Sequence, residues 1–89
     1  VVDLVNALQE WNLNVDLHDP HASAEVMTEE YGVTLSVPRT GAYDVVILAV
    51  PHAEFVHGGA DAIRSYLAPG GMLFDMKAVF PKEQSELRL

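Results

Sequence analysis

The sequence predicts an α/β fold with a mostly parallel sheet. Three apolar runs each stop on a polar signature: Val15-Asp16-Leu17 runs into His18-Asp19-Pro20, Val45 to Val50 into Pro51-His52, and Met72-Leu73-Phe74 into Asp75-Met76-Lys77. The middle run is unbroken and rich in β-branched residues, which suits a strand covered on both faces. Segments with helical spacing of apolar residues alternate with these runs. If the runs are parallel neighbours, their polar tips share one sheet edge, and open parallel sheets bind ligands outside the carboxyl ends of their strands.

The chain opens on an amphipathic helix, with Val1, Val2, Leu4, Val5 and Leu8 on one side and Asp3, Asn6 and Gln9 on the other. No Ser, Thr, Asp or Asn precedes Val1 to accept from the first N–H groups, so Val1 is expected to be a cut end within a longer protein. Asn12 and Asn14 stop this helix, and Val15 to Leu17 form a short strand before Asp19-Pro20 turns the chain. Ser23 caps a second helix, with Val26 and Met27 facing inward, Tyr31 near the end and Gly32 as its left-handed terminator. Val33 to Val37 read as a brief strand, Pro38 to Gly41 as a loop, and Asp44 to Val50 as the strongest strand, ended by Pro51. Gly58-Gly59 interrupt the helical segment that starts at Ala53, leaving Ala60 to Leu67 as the helix proper. Ala68-Pro69-Gly70-Gly71 read as a tight turn into a last strand, Met72 to Lys77. In the tail from Pro81 to Leu89, a proline suited to a first helical position and Glu83 near the start predict a short terminal helix. Helix, strand, helix, strand, strand, helix, strand is the order left when a doubly wound unit loses its first strand. The expected architecture is a Rossmann-like three-layer sandwich lacking that strand, in one domain spanning residues 1–89.

Composition narrows the function. With 89 residues, 49% of them hydrophobic, one core can form, and no apolar stretch reaches the roughly 20 residues of a membrane span. No cationic start with an apolar core and cleavage site directs secretion, so a cytoplasmic location is expected. A formal charge of -8, from 13 acidic and 5 basic residues, would repel a nucleic-acid backbone over most of the surface. Any phosphate bound here needs a local device. The absence of cysteine excludes disulfides, thiolate metal sites and a cysteine nucleophile within these residues.

The expected binding edge collects His18, Asp19, His52 and Lys77. Histidine with carboxylate is good zinc chemistry, and His18, Asp19, His21, His52 and His57 supply the residue types. Pro20 reorients the chain between His18 and His21, however, so the favoured reading is polar loop residues and no metal. Asp19 has two readings: an acid that holds a ribose at the end of a second strand, or the start of a turn, its carboxylate accepting nearby backbone N–H groups. The turn is favoured, because no G-x-G-x-x-G occurs in the chain. Lys77, a cation at a strand tip in an acidic chain, is a device for phosphate or carboxylate, or else an ordinary exposed lysine; Asp75 beside it is expected to face the other way. Trp11, Tyr31, Phe55 and Tyr66 are spaced irregularly and read as core or rim, not as a base-stacking platform.

Four stretches carry a resemblance: Val2 to Leu8, Val15-Asp16-Leu17-His18-Asp19-Pro20, Tyr43 to Phe55 with its A-V-x-H-x-E-F end, and Phe74-Asp75-Met76-Lys77. Together they resemble the C-terminal UDP-binding domain of UDP-glucose/GDP-mannose dehydrogenases, nearest the branch acting on UDP-N-acetylhexosamines for surface polysaccharides. The resemblance implies an enzyme that oxidises the C6 alcohol of a UDP-sugar to a carboxylate in two NAD-dependent steps. It implies NAD held by an N-terminal domain, a catalytic cysteine and lysine in earlier segments, a homo-oligomeric full-length enzyme, and no catalytic residue within this chain. By position it makes Lys77, with Asp75, the substrate-contacting D-x-K element. The family's phenylalanine-lysine motif would lie upstream of Val1. A charge-assisted contact of about 1.5 to 3 kcal/mol falls short of the roughly 8 kcal/mol that micromolar affinity needs, so the chain alone is expected to bind UDP weakly.

Two rivals remain at this point. Tyr43-Asp44-Val45-Val46 followed by Leu67-Ala68-Pro69-Gly70-Gly71-Met72-Leu73 also resembles the late strands and L-x-P-G-G turn of class I S-adenosylmethionine-dependent methyltransferases. A non-catalytic α/β module docking a partner through its acidic surface is the other.

Overall fold

Val2–Glu10 form helix α1 in the computed structural model, which describes residues 2–88. The helix buries Val5 and half-buries Leu4 and Leu8. Asn12 terminates it in the left-handed conformation at φ 62, with Asn12 N–H donating to Gln9 O at 2.9 Å and Leu13 N–H to Leu8 O at 3.3 Å. This is the 5→2 and 6→1 pattern that satisfies the last carbonyls of a helix, with asparagine in the place glycine usually takes. Helix α2, Ala24–Tyr31, starts where expected, the Ser23 hydroxyl accepting from Val26 N–H at 3.3 Å, and ends at Gly32, φ 66. Val26, expected inward, is 43% exposed; α2 buries no residue and leaves Met27 only half-covered. The strands expected at Val15 to Leu17 and Val33 to Val37 shrink to one parallel bridge, Leu17 to Leu35, with Ser36 N–H donating to Leu17 O at 2.8 Å. Val33 is buried and Val15, Leu17 and Leu35 are half-buried, whereas Val37 is 80% exposed. These elements belong to a unit, Val1–Pro38, distinct from Arg39–Leu89.

The second unit holds a three-stranded parallel sheet, β1 Tyr43–Leu48, β2 Leu67–Asp75 and β3 Leu87–Arg88, in that spatial order. Helix α3, Ala53–Arg64, connects β1 to β2, giving a βαβ unit of the Rossmann-like kind. Leu48 of β1, Ala60 and Ile63 of α3, Leu73 of β2 and Phe80 make the buried core, with Val46, Phe55, Leu67 and Val79 packed against it. On β1, Val46 and Leu48 thus face the core, while Val45, one residue before them on the alternate face, is 45% exposed. Strand β1 stops two residues before the expected Val50.

Three further expectations are corrected. The helix begins at Ala53 instead of Ala60, with Gly59 (φ 81, ψ 166) kinking it internally, and it ends at Arg64 instead of Leu67. Ala68 to Gly71 do not separate two elements. Pairing is Tyr43 with Leu67 and then Val45 with Met72, so β2 loops out three extra residues there, with Gly70 at φ 81. Finally, the tail forms a single 3-10 turn, Lys82–Gln84, behind Pro81 and then adds β3 to the sheet instead of continuing as a helix.

Candidate functional site

Register fixes one end of the second unit. Val45 to Leu48 pair residue by residue with Met72 to Asp75, and Met76 N–H donates to Leu48 O at 3.2 Å, so the carboxyl ends of β1 and β2 lie side by side. Beyond β1 the chain passes Pro51 to His52, the residue before α3. His52 is half-buried, and its ring tilts at 57° against Phe55, 5.6 Å between centroids. Beyond β2, Met76 and Lys77 form a turn followed by Ala78 in the left-handed region at φ 52.

Asp75 organises this turn. It is the buried charged residue of the described core, at 0% exposure. Its Oδ1 accepts from Val79 N–H at 3.2 Å and its Oδ2 from Phe80 N–H at 3.0 Å. Phe80 inserts into the core, so the carboxylate ties the 76–80 loop to the end of β2 while Lys77 stays exposed at the loop's bend. The two residues part because the strand ends at Asp75 and the chain turns, not because of strand alternation, which would put positions 75 and 77 on one face. Asp75, expected among the substrate-contacting residues, has its carboxylate directed into the protein as a loop anchor.

Sequence reasoning missed the edge strand. β3 pairs parallel with β2, Leu87 opposite Phe74 and Arg88 opposite Asp75, which places an exposed arginine at the same carboxyl edge. Glu86 ties this strand to β2: Glu86 N–H donates to Leu73 O at 3.1 Å, and Glu86 Oε1 accepts from Leu73 N–H at 3.3 Å. Arg64 at the end of α3 donates to Glu86 Oε2 at 2.7 Å and to Gln84 O at 3.2 Å. The hydrogen bond from Arg64, with a smaller one from Leu73 N–H, holds the Glu86 carboxyl below its ordinary range, and Glu86 in turn raises the Arg64 guanidinium. No local signal in Ser85-Glu86-Leu87-Arg88 marks a strand.

The remaining expected residues belong to the first unit. His18 and Asp19 follow Leu17 in the first unit, where Asp19 Oδ1 accepts from His21 N–H at 2.9 Å, the turn-forming arrangement. Among the described residues no group of three or more His, Asp or Glu side chains gathers as a metal site. Trp11 is 81% exposed and Tyr31 51%, so neither is core. Among the described residues no helix is long and apolar enough to cross a membrane.

A family model described as the UDP binding domain of the UDP-glucose/GDP-mannose dehydrogenase family matches residues 1–82. A protein of Pseudomonas aeruginosa named UDP-N-acetyl-D-glucosamine 6-dehydrogenase is 46% identical over 90 residues, covering 100% of this chain and 21% of its own length. A Salmonella typhi protein of the same name is 37% identical over 90 residues with the same coverage. Protein CapL of Staphylococcus aureus is 27% identical over 85 residues, covering 94% of this chain and 20% of its own length. The chain therefore spans about a fifth of the length of the curated relatives it matches. No solved structure matches. Both stretches that resemble methyltransferases, Tyr43 to Val46 and Leu67 to Leu73, lie inside the family match, and the second is a looped-out strand instead of a turn between elements.

Proposed function

Since this chain belongs to the UDP-glucose/GDP-mannose dehydrogenase family as its UDP binding domain, we propose that it grips the nucleotide end of a UDP-sugar within a longer, NAD-dependent 6-dehydrogenase. The proposed substrate is a UDP-N-acetylhexosamine, oxidised at C6 to the uronic acid, in keeping with the names of the relatives at 46% and 37% identity. The observation that carries the reading is the paired carboxyl edge of β1 and β2, where the Asp75-anchored loop holds Lys77 in solvent. In a chain of formal charge -8, that cation is a local device for a diphosphate.

This chain's residues do not fit NAD. A dinucleotide needs a glycine-rich turn between a strand and a helix, whereas Gly58-Gly59 lie inside α3 and Gly70-Gly71 inside β2. No cysteine is present to act as nucleophile. Hydride transfer and its cofactor thus belong to residues outside these 89, and the role left to the chain is binding and orienting substrate. Steady-state kinetics of Lys77→Ala in the full-length protein test the reading. The expected result is a Michaelis constant for the UDP-sugar raised about tenfold with that for NAD unchanged, the size of one exposed charge-assisted contact. An unchanged constant for the UDP-sugar removes Lys77 from the site.

A further inference from the structure

We infer that Arg88 is a second cation of the diphosphate grip, carried to the binding edge by β3. The inference rests on the proposed UDP-binding role and extends it to a residue beyond the family match, which ends at residue 82.

Arg88 is the register partner of Asp75, the last residue of β2 and two residues before Lys77, and it is exposed. Of the five basic residues, Arg39 sits before the amino end of β1, its guanidinium 5.7 Å from the centre of the Tyr43 ring, Arg64 is bound to Glu86, and Lys82 opens the 3-10 turn behind Pro81. Lys77, two residues past the end of β2, and Arg88, the last residue of β3, are the two at the carboxyl ends of the parallel strands. A diphosphate carries about two negative charges, and a planar guanidinium can meet two phosphate oxygens at once, where an ammonium acts as a point charge.

The way β3 is held points to the same residue. A two-residue strand has no hydrophobic face or turn to set its register. Glu86 supports it from the residue before: its backbone N–H meets Leu73 O, while its carboxylate meets Leu73 N–H and the Arg64 guanidinium and so links β3 to both β2 and α3. Leu87 is 47% exposed, and burial therefore does not account for the strand. What this arrangement delivers to the sheet edge is Arg88.

The test is binding of UDP and of uridine to the full-length protein by titration calorimetry, with Arg88→Ala, Arg88→Lys and Lys77→Ala compared. Arg88→Ala should weaken UDP about tenfold, equivalent to about 1.4 kcal/mol, and leave uridine within twofold; Arg88→Lys should recover part of the loss. Unchanged UDP binding in Arg88→Ala, with Lys77→Ala weakened, overturns the role of Arg88 and spares the proposed edge. Equal weakening of UDP and uridine overturns it too, because loosening of β3 does not discriminate phosphate. If neither alanine variant weakens UDP, the edge itself is misplaced and both readings fall.

Discussion

Replacing Asp75 should unfasten the loop that presents Lys77. The carboxylate is fully buried and accepts from two backbone donors, Val79 N–H at 3.2 Å and Phe80 N–H at 3.0 Å. Hydrogen bonds to a charged acceptor contribute roughly 1.5 to 3 kcal/mol each, and a buried donor left without a partner costs about 1 to 3 kcal/mol. These overlap, so Asp75→Ala should destabilise the second unit by about 3 to 5 kcal/mol, a large part of the 5 to 15 kcal/mol typical of whole domains. Asp75→Asn keeps the shape and one acceptor but turns an amide N–H₂ toward one of the donors, which should cost about 2 to 3 kcal/mol. Urea unfolding followed by circular dichroism reads the difference. At a slope of roughly 1 to 3 kcal/mol per molar, the alanine variant should shift the midpoint down by at least about 1 M. Hydrogen exchange should localise the loss to the Val79 and Phe80 amides. A midpoint within about 0.2 M of the parent would refute the reasoning, since it would mean that the loop stands without the carboxylate.

Two further outcomes are expected. Glu86 has its folded pKa depressed, so its contribution to holding β3 is present above the ordinary value near 4.5 and is lost as pH falls through the lower folded value. Exchange protection of Leu73 and residues 86–88 should fall in that acid window, and Glu86→Gln should abolish the pH dependence; an unaltered profile in the variant contradicts this. Gly71→Ala should cost about 1 to 3 kcal/mol, because a Cβ there would stand 3.0 Å from the carbonyls of Ala68 and Asp44 and from Leu67 Cδ2, forcing β2 away from β1. Thermal unfolding at the parent midpoint would show that the loop-out in β2 gives way freely.

What the sequence disclosed depended on how local the cause was. Ser23 and Gly32 bracket α2 as read, because a cap and a left-handed terminator act within one turn. Val45 to Leu48 announce β1 because an unbroken apolar run with three β-branched residues suits few other places. Ala68-Pro69-Gly70-Gly71 read as a tight turn between elements, and lie instead within β2, because pairing with β1 across the sheet decides where the strand starts. Gly59 likewise breaks helical geometry at φ 81, while residues on both sides remain helical. β3 was illegible, since what fixes it is the contact of Glu86 with Leu73 and Arg64, 13 and 22 residues away. For the candidate site, Lys77 was visible as a polar strand tip. Asp75 parts from Lys77 as read, but its role as a loop anchor is not legible, because the turn at Met76 and the return of Phe80 to the core are tertiary facts.

A crystal structure of the full-length protein with UDP-N-acetylglucosamine bound tests the central claim most directly. The expected result is a diphosphate against the carboxyl ends of β1 and β2, within hydrogen-bond distance of Lys77 Nζ. A diphosphate bound at the amino end of β1 beside Arg39, or at a surface that none of these strand ends reaches, would contradict it.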